Sequence, residues 1–275
     1  MDEDIFGFRP LRQSETCHWM RPRTFGFVEG LERVALGDSE LLQTAHHLPI
    51  MVETARQRVQ VVAGLSSRLL RHRLLDGEGR WMRPYVPIRL RCLPFAVEPA
   101  PAGGGNAKVL ISDTLLAEAP EGGAAVMTED GELSPAVADI ARLLLRFEAG
   151  TTPLSAAAEQ LLLADLLLPI GPTRGGGTLW TVATERLAGV TAARAALLTK
   201  PNMLGSQLLF SLLFSRRMLD ANLGMEVHRI ETPAQGGPAV TAVADPGKLE
   251  GLNFAMDESD MVPLDALSQA WQEPA

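Results

Sequence analysis

His46 and His47, Cys17 and Cys92, and the acids Glu53, Asp76, Asp113 and Glu148 are the side chains of this chain that could do chemistry. Adjacent histidines point to opposite sides of a strand, so the pair His46-His47 does not chelate one ion by itself. A mononuclear site would need His18, His72, His228 or carboxylates from elsewhere in the chain as well. The plainer reading is one partly buried and one solvated imidazole. Cys92 stands beside Arg89 and Arg91, whose charge would lower a thiol pKa. A nucleophile also wants a base and an oxyanion site, and the run around Cys92 is apolar and extended, as in a core. Gly103-Gly-Gly105 and Gly175-Gly-Gly177 lack the following Lys-Ser/Thr of a phosphate loop and do not fit GxGxxG, so they read as flexible loops. The scattered acids define no general acid/base pair. No catalytic set and no cofactor are indicated. The chain leans away from catalysis, with a His-based, metal-dependent or oxygenase-associated enzyme as the alternative.

Binding chemistry is better represented. Arg80, Trp81, Arg83, Tyr85, Arg89 and Arg91 fall within twelve residues. Aromatics interleaved with arginines suit cation–π stacking and interface hot spots, although Trp81 and Tyr85 would equally serve to anchor a loop. Trp271 lies in an acidic segment, where an aromatic often marks docking. From Arg68 to Arg91 there are seven arginines against Asp76 and Glu78, whereas 245–275 carries seven acids against Lys248. The acidic tail either folds over the basic face, competes there with an acidic partner, or never meets it. A net charge of −8 argues against general nucleic-acid binding.

The elements that must position these groups read as α+β: a single domain of short strands and helices over 1–231, with a helical second half and an extended acidic tail over 232–275. A length of 275 residues suffices for one sizeable core. Aromatics are only 5%, so that core leans on Leu, Val and Ala. The spacing predicts a short strand at 24–28, a short helix from Pro49 feeding a strand at 59–63, a turn at Asp76-Gly-Glu-Gly79, and extended chain through Trp81 and Tyr85 ahead of Pro84 and Pro87. A loop follows at 99–106, a strand at 108–112, and a turn at Glu129-Asp-Gly-Glu132. Ser134-Pro135 opens a helix that Gly150 ends near Phe147. Thr152-Pro153 starts another, running over 156–168. A loop at 171–177, a strand at 178–183 and helices over 184–199 and 204–222 complete the domain. Residues 232–262 read as linker, and Pro263–Trp271 as a short amphipathic helix. The apolar stretch 203–219 is too polar to span a bilayer. Met-Asp-Glu-Asp-Ile-Phe6 lacks the apolar run of a secretory signal, and two lone cysteines define no disulfide framework, so a cytoplasmic protein is expected.

One segment, Asp76-Gly-Glu-Gly-Arg-Trp-Met-Arg-Pro-Tyr-Val-Pro-Ile-Arg-Leu-Arg-Cys-Leu-Pro-Phe95, resembles the part of the SapC family that reads roughly "DGRW…YVP…RRYPF". Ala45-His-His-Leu-Pro-Ile-Met-Val-Glu53 is similar to the family's "hLPlv..E" stretch, and Asp130-Gly-Glu-Leu-Ser-Pro135 with Phe147-Glu148 to its "DGepS…FE". His18–Val28 and Leu179-Trp-Thr-Val-Ala183 with Leu187 extend the likeness, in order, over roughly 18–220. The resemblance implies a bacterial, surface-layer-related family without a catalytic set, often encoded beside flavoproteins and oxygenases. An accessory or adaptor that binds a protein or peptide follows, with such a flavoprotein or oxygenase as a candidate partner. A structural subunit of a larger, surface-layer-related assembly, and hence an oligomer, is the other implication.

Overall fold

A computed structural model of the chain describes residues 6–12, 17–56, 58–66, 69–70, 73–99, 107–116, 123–191 and 203–223, with side chains of the last stretch described to 216. All belong to the first of two units into which the chain divides, 1–230. The fold is α+β and its strand pairs are antiparallel. The strands are β1 (Phe8–Pro10), β2 (His18–Trp19), β3 (Arg33–Ala35), β4 (Ile50–Ala55), β5 (Arg58–Gly64), β6 (Phe95–Glu98), β7 (Lys108–Ser112), β8 (Ala124–Ala125), β9 (Leu167–Pro172) and β10 (Thr178–Val182). The helices are α1 (Leu41–His47), α2 (Ile88–Arg91), α3 (Asp113–Leu116), α4 (Pro135–Leu163), α5 (Thr184–Leu187) and α6 (Leu204–Leu223). A five-stranded sheet runs β3-β5-β4-β10-β9, a three-stranded sheet β1-β7-β6, and β2 pairs β8.

The helix expected from Pro49 is instead strand β4. Ile50, Met51 and Val52 are all buried and β-branched or flexible, and β5 offers a partner two residues on, with Ala55 facing Arg58 and Ile50 facing Ala63. The alternation puts Ile50, Val52, Val61 and Ala63 on one face, in the main core, and Glu53 and Gln60 on the other. The strand expected at 24–28 is a 3-10 turn over Gly26–Gly30. Its first ring, Phe25, packs on Trp81 at 5.6 Å.

Gly150 and Pro153 do not divide a pair of helices. α4 is one 29-residue helix through both, and the chain from Leu167 is strand β9. Its apolar stripe explains the continuity. Val137, Ile140, Leu144 and Phe147 stay in phase with Leu154, Ala157, Ala158 and Leu161, so one continuous helix buries both sets. Pro153 costs about 3 kcal/mol in a helix interior, whereas each buried Leu or Phe returns about 1.5–3 kcal/mol. The first set lies in a core with Trp19, Phe95, Ile111 and Val126, the second in a core with the five-stranded sheet and α6. Pro135 does open α4, but the Ser134 side chain makes no cap hydrogen bond.

α6 covers the main core through Leu208 and Leu212. The Ser215 hydroxyl, buried on the same helix, accepts the Ile50 N–H at 2.5 Å and tethers α6 to the start of β4. Phe210, 69% exposed, and Phe214 face outward, so this apolar stretch is buried on one side only. No helix among the described residues is long and apolar enough to cross a membrane. Of the helix expected over 184–199, α5 spans Thr184–Leu187; its residues 192–199, the expected loop at 99–106 apart from its first residue, and the readings beyond 223 lie outside the described residues.

Candidate functional site

The arginine-aromatic segment is built outward from a tight turn. Leu75 bridges Trp81, the Asp76 N–H donates to the Arg80 carbonyl at 3.0 Å, and Gly79 takes φ 75°, where a side chain would be strained. The Asp76 carboxylate accepts the N–H groups of Glu78 and Arg80, both at 2.9 Å, and Arg80 Nε at 2.7 Å. That pairing with Arg80 holds its carboxyl below the usual range.

Beyond the turn the aromatics face inward. Trp81 donates from Nε1 to the Tyr85 carbonyl at 2.9 Å. Tyr85 is buried and donates its hydroxyl to Glu40 Oε2 at 2.8 Å. Glu40, 1% exposed, also accepts the N–H groups of Ile88 at 2.9 Å and Gly37 at 3.2 Å. Burial pushes its carboxyl up, and these donors only partly offset that. Arg91 lies over the Tyr85 ring at 5.8 Å and is itself exposed. Arg89 lies over Phe147 at 5.3 Å and pairs with Glu148 at 2.5 Å. Arg80 is exposed and Arg83 half-buried. The structure thus brings Tyr85 and Arg91 to one buried carboxylate, Glu40, ties Trp81 to the Tyr85 backbone, and sends Arg89 to a second carboxylate, Glu148. Trp271 lies outside the described residues.

His46 is exposed and rests on Phe214 at 4.7 Å; its ring lies 6.3 Å from that of His47. Burial, then the neighbouring His46 and Arg83 charges, lower the His47 pKa. No group of three or more metal-ligating side chains occurs among the described residues. Cys92 is buried in the turn after α2 rather than on an extended run. Burial pushes its thiol up to about 11, outweighing the opposing charges of Arg91 and Arg21, so almost none is thiolate at neutral pH.

A sizeable concavity lies elsewhere. A cleft of about 1090 Å³ opens between β5 and α4. Arg33, Glu53, Gln60 and the hairpin arginines Arg56 and Arg58 line one side; Thr151, Thr152, Ser155 and Glu159 of α4 line the other, and the Arg89–Glu148 pair joins them. Glu53 is fully buried: it takes Arg33 Nε at 2.6 Å and Gln60 Nε2 at 2.7 Å. Burial raises its pKa, but those two donors outweigh it and hold the carboxyl low. β3 pairs only with Val62, Ala63 and Gly64 of β5, and Leu36 adds one bond to the Val61 carbonyl. Among the described residues, then, no strand pairs with Arg58–Gln60 on the side away from β4. The sequence reading missed this site because its walls come from residues between 33 and 175 that share no motif. The only local sign was a polar alternation, Glu53 and Gln60, within two apolar strands.

Comparison with known proteins adds one positive finding: the SapC family model matches residues 13–221. No curated protein and no solved structure matches the chain.

Proposed function

The chain belongs to the SapC family, and from that premise we propose that it is a non-enzymatic accessory protein of the cytoplasm, holding an extended segment of a polypeptide partner in the cleft between β5 and α4. The observation that carries this reading is the uncovered edge of β5 inside that cleft. Unpaired strand N–H and C=O groups accept a further strand. Small-molecule sites, by contrast, are mostly enclosed and apolar, and this cleft is open and lined with charges and hydroxyls. Arg89 brings the arginine-aromatic segment to the cleft, while Arg80, Arg83 and Arg91 extend the same partner's contact outside it. A flavoprotein or oxygenase encoded nearby is the partner class that the family suggests.

Ser155 is half-buried on α4 and belongs to neither core, so Ser155→Trp projects an uncharged bulky ring from the α4 wall into the cleft without disturbing the fold. Tagged full-length chain recovered from its native host is expected to carry a stoichiometric polypeptide that Ser155→Trp loses, at an unchanged melting midpoint. Equal recovery by the variant would overturn the reading. So would a partner-free chain carrying stoichiometric metal or flavin.

A further inference from the structure

We infer that the polypeptide segment this cleft receives is acidic, and that Arg56 and Arg58 at the tip of the β4–β5 hairpin are its anchors. The inference rests on the cleft being a polypeptide seat. Most charges of the lining are already matched: Arg33 with Glu53, and Arg89 with Glu148. What remains, among the described residues, is two cations and one acid, since no described side chain pairs with Arg56, Arg58 or Glu159. Arg58 begins the uncovered stretch of β5, so an added strand would pass directly beside it.

Arg56 carries a second signal. Only positions 56 and 57 separate the paired Ala55 and Arg58, and Arg56 takes φ 48°. Two-residue hairpin loops favour Asn or Gly at such a position, and arginine there forgoes that preference. The side chain it places at the cleft mouth is long, cationic and exposed, the kind that recognises carboxylates. The molecule as a whole is at −8 and repels an acidic peptide, so attraction has to come from this local pair.

The test uses the full-length chain and fluorescein-labelled octaglutamate at low salt, with an uncharged Gly-Ser octapeptide as control. Saturable binding of octaglutamate alone is expected. Arg56→Asn with Arg58→Gln should weaken it about tenfold, and Glu159→Gln should tighten it about twofold by removing the opposing charge. Asparagine suits the turn, so Arg56→Asn should not lower the melting midpoint, which separates lost binding from lost fold. Undiminished binding by the double variant, or none by the wild type, would overturn the acidic ligand; if Ser155→Trp still sheds its partner, the cleft itself stands. Displacement by inorganic phosphate at the concentration that works for unlabelled octaglutamate would also overturn it, by reducing the site to one that reads a lone anion.

Discussion

Replacing Glu40 with alanine is expected to destabilise the fold by about 3–5 kcal/mol, the largest effect of any single change to a side chain singled out above. Three buried donors converge on this carboxylate, from Tyr85, Ile88 and Gly37. Each donor left without an acceptor costs about 1–3 kcal/mol, and truncation offers them neither a partner nor water. Tyr85→Phe removes one donor together with its need and should cost only about 1 kcal/mol. Urea unfolding followed by circular dichroism separates the two, and a Glu40→Ala loss below that of Tyr85→Phe would sink the argument. The pH dependence carries a definite sign. Because burial raises the folded-state pKa of Glu40, its contribution is full below the ordinary 4.5 and is lost as pH rises through the raised value. Wild type should therefore lose ground against the non-titrating Glu40→Gln as pH rises through that range. Glu53, held low by Arg33 and Gln60, has the opposite sign: its contribution is present above 4.5 and is lost as pH falls through the lowered value.

The second large effect is Gly150→Ala. In an exposed helix interior the change would be worth up to about 1 kcal/mol of added stability. Here a Cβ would stand 2.8 Å from Asp38 Cγ and 3.1 Å from the Asp38 backbone nitrogen. The side chain can rotate away but the backbone cannot, so the sign reverses to a loss of about 2 kcal/mol. Asp38→Ala in the same chain should recover part of that loss and leave the backbone share, a non-additivity that a double-mutant cycle reads directly. A Gly150→Ala chain more stable than wild type would show that α4 and the 38–40 turn are not in such close contact.

The same glycine marks where the sequence misled. Gly150 and Pro153 are helix-ending residues by local rule, and the rule lost to an apolar stripe that continues in phase across them. Strand β4 was misread for a related reason: a short buried run looks alike as strand or helix, and only its pairing with β5 decides. Local chemistry was legible where it is self-contained. The turn at Asp76 closes on its own carboxylate, Lys108–Ser112 is a short run of three apolar residues between polar ends that forms β7, and the family signature over 18–220 agrees with the matched 13–221. Trp81 and Tyr85 were legible as loop anchors, but what receives them was not: Glu40, which accepts the Tyr85 hydroxyl, sits 45 residues earlier in a stretch without periodic pattern, and the ring under Trp81 is that of Phe25. The cleft was hidden in the same way, since an uncovered strand edge is a property of where a neighbouring strand stops.

α4, a single rod of 29 residues, passes from one apolar cluster into the other and is roughly 44 Å long at 1.5 Å per residue. Neither cluster keeps a complete wall if the rod frays. The shared helix joins two cores that would otherwise be separate foldons. Loosening at Trp19 and Phe95 is therefore expected to reach the side of the cleft that holds Ser155, with both ends melting in one cooperative transition.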